Sequence, residues 1–118
     1  MAKARYVNRI DLLQGTLDLI VLQTLRWGPQ HGYGISQAIN TNSKEAFRVE
    51  TGSLYPALHR LEKRGWITSD WRLSEHNQRV KMYKLTPTGR KQLTAEQSRW
   101  EQFVEAMASL MTPRGREV

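Results

Sequence analysis

Between Thr51 and Arg64 the chain reads TGSLYPALHRLEKR, with a phenol at Tyr55, an imidazole at His59 and cations at Arg60, Lys63 and Arg64. Their spacing puts them on successive turns of one helix. The chemistry such a set can do is recognition rather than bond-making. Phenol and imidazole groups donate and accept hydrogen bonds and stack, while guanidinium and ammonium groups neutralise phosphates. The small residues Gly52 and Ser53 at the helix start let a backbone approach a crowded surface closely. Catalysis asks for something different. His31, His59 and His76 are far apart in sequence, and His59 with Glu62 is the only helical pair with metal-like spacing. No nucleophile elbow, phosphate loop or paired carboxylate site accompanies that pair. No enzyme activity, metal or cofactor is expected.

Charge placement points the same way. The chain of 118 residues carries a formal net charge of +7, and residues 51–92 hold nine Lys or Arg against three Asp or Glu. Residues 1–50 hold six against four, and residues 93–118 three against four. A local excess of this kind suits a polyanion, nucleic acid first. The absence of cysteine removes disulfides and thiolate metal sites and suits a reducing cytoplasm, the expected compartment. The leucine-rich N-terminus is interrupted by Asp11, Gln14 and Asp18, so neither a signal h-region nor a membrane span is expected there.

Helix-forming patterns supply the elements that must hold these groups. Leu17, Ile20, Val21, Thr24 and Leu25 form an amphipathic stripe, with Leu12 and Leu13 as a backward extension and Thr16 as a candidate cap. Trp27-Gly28-Pro29 ends it. A short second helix opens at Gly32-Tyr33-Gly34, buries Ile35, Ala38 and Ile39, and stops at Asn40-Thr41-Asn42-Ser43. Residues 44–50 read as a connector with Phe47 and Val49 packed. In the helix from Thr51, the residues Leu54, Ala57, Leu58 and Leu61 make a narrow aliphatic side. Pro56 is expected within about the first turn, where backbone N–H groups lack helical partners. Gly65 stands where a helix terminates.

Residues 66–73 and 79–85 are rich in β-formers around the polar tip Ser74-Glu75-His76-Asn77-Gln78, the pattern of a two-stranded hairpin. Thr86-Pro87 then starts a long helix with Leu93, Trp100, Phe103, Val104, Met107, Leu110 and Met111 along one stripe. From Pro87 to Met111 it would span roughly 37 Å. Three helices, a basic ribbon and one long helix is the order of a winged helix-turn-helix, mainly α with a small β-hairpin, carrying a C-terminal dimerisation helix. In such a fold the third helix enters the major groove and the ribbon is the wing. Ser53, Tyr55 and His59 are then candidates for contacts at base edges. Arg60, Lys63, Arg64, Arg72, Arg79 and Lys81 are candidates for phosphates, and His76, Asn77 and Gln78 for the backbone or minor groove. A small winged domain cannot cover Trp100, Phe103, Val104, Met107 and Met111 by itself, so a second copy is the expected partner. Leu13, Leu93 and Leu110 complete the expected interface. Trp100 is also the residue on which a flat aromatic effector could stack.

The sequence resembles the PadR-like family of bacterial transcriptional regulators. The resemblance rests on Gly15-Thr16-Leu17-Asp18, His31-Gly32-Tyr33-Gly34-Ile35, Gly52-Ser53-Leu54-Tyr55-Pro56-Ala57-Leu58, Leu61-Glu62 with Gly65, and Tyr83-Lys84-Leu85-Thr86 with Gly89-Arg90. It implies a dimeric winged-helix protein, in most members a repressor on a palindromic operator of double-stranded DNA, with release by a small-molecule effector in several. It also implies that the stretch from Gly52 through Leu58 begins the recognition helix, with Thr51, Gly52 and Pro56 at the DNA, and that Tyr33 lies near the DNA backbone. The expected organisation is a DNA-binding domain over 1–86, a dimerisation helix over 87–112 and a flexible tail over 113–118. The alternative function is a protein-interaction module that uses the same fold without specific DNA binding. Membrane binding is not expected, because the long helix lacks a basic polar face.

Overall fold

The computed structural model describes residues 14–112. The expectations for Leu12, Leu13 and the tail 113–118 lie outside them. Helix α1 (Gln14–Leu25) contains Thr16 within its first turn, so Thr16 is not its cap. It is apolar nearly all round: Leu17, Val21, Leu22 and Leu25 are buried, and Leu19 and Ile20 pack partly against the same core. Strand β1 (Gln30–His31) leads directly into α2 (Gly32–Asn42). His31 caps that helix, its Nδ1 accepting from the Gly34 N–H at 2.9 Å. The connector is fastened back onto α2. Asn40 Oδ1 accepts from the Val49 N–H at 3.1 Å and the Ser36 hydroxyl donates to the Val49 carbonyl at 2.6 Å. Val49 is buried and Phe47 packs against the core, as their types predict.

Helix α3 (Thr51–Lys63) buries Leu54, Ala57, Leu58 and Leu61, the aliphatic side read from the sequence. Pro56 is placed differently from expectation. With the helix starting at Thr51, Pro56 stands inside it, in the second turn. The Gly52 carbonyl therefore receives no N–H from four residues on, and it lies at an exposed residue where water can serve it. The helix ends in a Schellman motif: Gly65 has φ +78°, its N–H donates to the Glu62 carbonyl and that of Trp66 to the Leu61 carbonyl, both at 3.0 Å.

Strands β2 (Ile67–Leu73) and β3 (Arg79–Leu85) form the expected hairpin, in register from Ile67 opposite Leu85 to Leu73 opposite Arg79. The sheet has three strands, not two. β1 pairs antiparallel with β3, Gln30 opposite Tyr83 and His31 opposite Met82, giving the order β1-β3-β2. This third strand ties the ribbon to the helices, which a hairpin alone could not do for itself.

Thr86 caps α4 (Pro87–Met111) as its type predicts. Its hydroxyl accepts from the Gly89 N–H at 2.9 Å and donates to the Gly65 carbonyl at 2.6 Å. One residue must be glycine for this joint to close, since a Cβ on Gly89 would collide with the Trp66 carbonyl. The first two turns of α4 belong to the common core. Leu93 is 4% exposed within it, so it is a core residue and not one offered to a second copy. Gln97 in the third turn still donates to Gln23 Oε1 on α1 at 2.7 Å; beyond it every residue from Ser98 to Thr112 is exposed. With its helices and small antiparallel sheet, the molecule is an α+β winged helix.

Candidate nucleic-acid interface

Because α3 buries one narrow stripe, its remaining circumference faces solvent. Thr51, Gly52, Ser53, Pro56, His59, Lys63 and Arg64 are all exposed. Tyr55 is held differently: its ring lies against the start of α2, close enough that a Cβ on Gly32 would clash with it. It keeps an exposed edge but is braced by packing. Tyr33, one residue beyond Gly32, is 65% exposed, and its phenol oxygen accepts from Gln37 Nε2 at 2.6 Å. The His31 ring stacks near it at 6.5 Å between centroids. The two tyrosines thus flank the same end of α2.

The two cations of α3, Arg60 and Lys63, and the capping Arg64 are not equivalent. Arg60 Nη2 lies 2.8 Å from Asp18 Oδ1, and Arg64 Nη1 lies 3.7 Å from Asp18 Oδ2. The Arg60 guanidinium, expected at a phosphate, is here turned to a carboxylate on α1, with 28% of its side chain exposed. Arg64 is shared between Asp18 and the face of Trp66, 5.1 Å from the ring centroid. Lys63 makes no ion pair among the described residues and is exposed.

On the ribbon, alternation puts Ile67, Ser69, Trp71 and Leu73 on one face with Leu85, Tyr83, Lys81 and Arg79 opposite them. The inner half of this face is core. The Ser69 hydroxyl donates to Glu62 Oε2 at 2.6 Å, so the face is turned toward α3. Its outer half carries Trp71 with the Arg79 guanidinium 4.7 Å and the Lys81 ammonium 5.8 Å from its ring. These stacked cations are held in place by the ring quadrupole. Arg72 is on the opposite face, with Lys84, and lies 3.5 Å from Asp70, apart from Arg79 and Lys81. At the tip, Ser74 Oγ accepts from the N–H groups of His76 and Gln78, each at 3.2 Å. Asn77 adopts φ +60°, a conformation asparagine tolerates, so its presence has a turn reason besides any contact. His76, Asn77, Gln78 and Arg79 are all exposed.

Beneath the ribbon, Tyr83 is buried, and burial followed by the nearby Glu62 carboxylate and Tyr55 pushes its phenol pKa upward. Among the described residues, no group of three or more His, Cys, Asp or Glu is placed to hold a metal ion. None of their helices is long and apolar enough to cross a membrane.

Two residues at this surface escaped the sequence reading. Asp18 was visible as a charge on the otherwise apolar side of α1, and such a charge requires a partner. Trp71 was visible once the hairpin register is counted out, since it falls opposite Lys81.

Comparison with known proteins supports the same surface-bearing fold. A transcriptional regulator of Mycobacterium tuberculosis is 38% identical over 73 residues, 62% of this chain and 64% of its own length. The solved structure of a transcriptional regulator from Clostridium thermocellum aligns with a TM-score of 0.76 at 31% identity, covering 84% of this chain and 93% of that one. A PadR-like transcriptional regulator from Bacillus cereus aligns with a TM-score of 0.74 at 26% identity, covering 85% and 95%. Residues 21–95 match the transcriptional regulator PadR-like family, and the chain belongs to that family.

Proposed function

We propose that this regulator is a repressor that binds a palindromic operator as a homodimer, with α3 as its recognition helix and the β2–β3 ribbon as its wing. The observation that carries the reading is that an exposed helix and a cationic ribbon are fastened side by side. The ribbon face that carries Trp71, Arg79 and Lys81 in its outer half is tied to α3 by the Glu62–Ser69 hydrogen bond, so those cations belong to the same unit as the exposed residues of α3. A duplex laid along α3 would meet Ser53, Tyr55 and His59 at base edges and Lys63 with Arg79 and Lys81 at phosphates. Thr51, Gly52 and Pro56 shape the approach of the first turns, Tyr33 lies to one side, and His76 and Asn77 extend the wing tip. Two such helices in a two-fold dimer would enter successive major grooves about 34 Å apart.

The second copy is supported by α4. Its Trp100, Phe103, Val104, Met107, Leu110 and Met111 are exposed along one helix, with Trp100 and Phe103 stacked at 5.7 Å. The expected organisation is thus a winged domain, whose core includes the first turns of α4, and a dimerisation arm beyond it.

The test is titration of the native protein against duplexes selected from genomic fragments and against random duplex, at several salt concentrations. A preference for two-fold symmetric fragments is expected. Equal affinity for selected and random duplex, or none for either, would return the chain to the protein-interaction reading.

Effector release has its own support in a groove of about 650 Å³ between α1, α2 and α4, walled by Leu19, Ile20, Trp27, Phe47 and Trp100 among others. An aromatic effector seated there would quench tryptophan emission more in the native protein than in Trp100→Phe, where Trp27 alone remains in the wall. Equal quenching of the two would remove Trp100 from the site.

A further inference from the structure

Asp18 is the only charged side chain buried among the described residues, at 6% exposure, and it is set on α1 rather than on the helix it serves. Its two carboxylate oxygens receive Arg60 at 2.8 Å and Arg64 at 3.7 Å. These arginines stand four residues apart, Arg60 in the last turn of α3 and Arg64 at its C-cap, where like charges repel one another. A carboxylate between them offsets that repulsion, holding Arg60 to α1 by a hydrogen bond and Arg64, half of whose side chain stays exposed, by a looser ion pair. Arg60 is committed to this arrangement: its Nε is so deeply covered that it finds no hydrogen-bond acceptor. A guanidinium serving phosphates would keep that N–H in water.

We infer that Asp18 is a positioning residue that withholds the Arg60–Arg64 pair from the DNA backbone and thereby limits the phosphates α3 neutralises. The inference rests on the DNA-binding reading above. Phosphate contacts carry affinity without sequence information. Holding two strong cations back leaves Lys63 as the unpaired cation of α3 among the described residues, and lowers binding to random duplex relative to the operator. The same clasp fixes the roll of α3 against α1, and so the side chains it presents.

The test compares native protein with Asp18→Asn, which keeps the shape and removes the charge, by titrating random and operator duplexes across salt. The slope of log affinity against log salt should steepen by about one to two, as one or both arginines reach phosphates. Each added contact would cost about 3.5-fold in affinity over a fourfold rise in salt. The operator-to-random ratio should fall. A merely structural role would reduce the active fraction and leave the slope where it was, so an unchanged or shallower slope in a folded variant overturns the inference. Cooperative thermal unfolding establishes that the variant is folded. If Asp18→Asn does not fold, Lys63→Met and Arg60→Met take its place. Lys63→Met should flatten the slope by about one and Arg60→Met should leave it unchanged. Equal flattening by both would show Arg60 on a phosphate and overturn the proposal. If native protein shows no salt-dependent duplex binding at all, the DNA-binding reading fails first and this one with it.

Discussion

At the scale of single residues, stability and recognition make opposite demands on α3. Gly52 sits in an exposed first turn, and a Cβ built on it meets nothing within 4 Å. Packing therefore gives no reason for glycine there, and helix propensity argues against it. Gly52→Ala should raise unfolding free energy by about 0.4–1 kcal/mol in urea titration. It should at the same time weaken operator binding, because the added methyl stands where the helix start would approach the bases. A substitution neutral for both would remove Gly52 from the proposed surface. Tyr83 is a residue of the other kind, buried for the fold. Its phenol pKa is raised above the ordinary 10.0 by burial, Glu62 and Tyr55. Its contribution is complete below that ordinary value. As pH climbs past it, the unfolded chain loses the proton first and stability falls until the folded group also ionises. Stability measured in urea from neutral to strongly alkaline pH should show this decline, and Tyr83→Phe should make it shallower.

At the scale of elements, the sequence was most legible where a period was long and unbroken. The four-residue aliphatic side of α3, the Thr86 cap and the full extent of α4 all follow from spacing and capping chemistry, and the structure has them. β1 left no such trace, since two residues cannot display an alternation and their pairing is a tertiary event. The inward turn of Arg60 was also hidden: on a helical wheel it lies on the exposed side, and only the long reach of arginine and the carboxylate on α1 bring it under. Leu93 shared the stripe of α4 with the interface residues, and only the docking of the first two turns separates it from them. Pro56 was misplaced because its permissible position depends on a helix start that sequence gives to within a residue or two. Two element-scale predictions follow from these joints. Pro56→Ala restores a helical N–H beneath the Gly52 carbonyl and should stabilise the protein by about 1–3 kcal/mol. Loss of operator discrimination alongside that gain would mark Pro56 as kept for recognition. Gly89→Ala forces a methyl against the Trp66 carbonyl, where backbone must move, and should destabilise by about 1–3 kcal/mol in urea denaturation. An undiminished midpoint would mean that the α4 joint is looser than described.

At the scale of the whole molecule, the Cα radius of gyration is 17.1 Å, against about 13 Å for a compact domain of this length. The excess is α4, which extends past the core with its apolar side uncovered. A monomer in water gains nothing by displaying Phe103 and Met107 on the outer part of this helix, while two copies can bury both arms at once. In the proposed dimer the arm would also decide how DNA is held. A single winged domain places one recognition helix, whereas a dimer makes binding of the second helix intramolecular and multiplies affinity by about 10²–10⁴. Glutamates at Phe103 and Met107 together should therefore yield a monomer in sedimentation while leaving the core around Leu93 folded. Operator affinity should fall by about 10²–10⁴, to the level of a half-site duplex, with the half-site affinity itself little changed. If the double variant sediments as the native protein does, the contact between copies lies elsewhere. If it becomes a monomer and still binds the full operator with native affinity, the two recognition helices do not act as a pair.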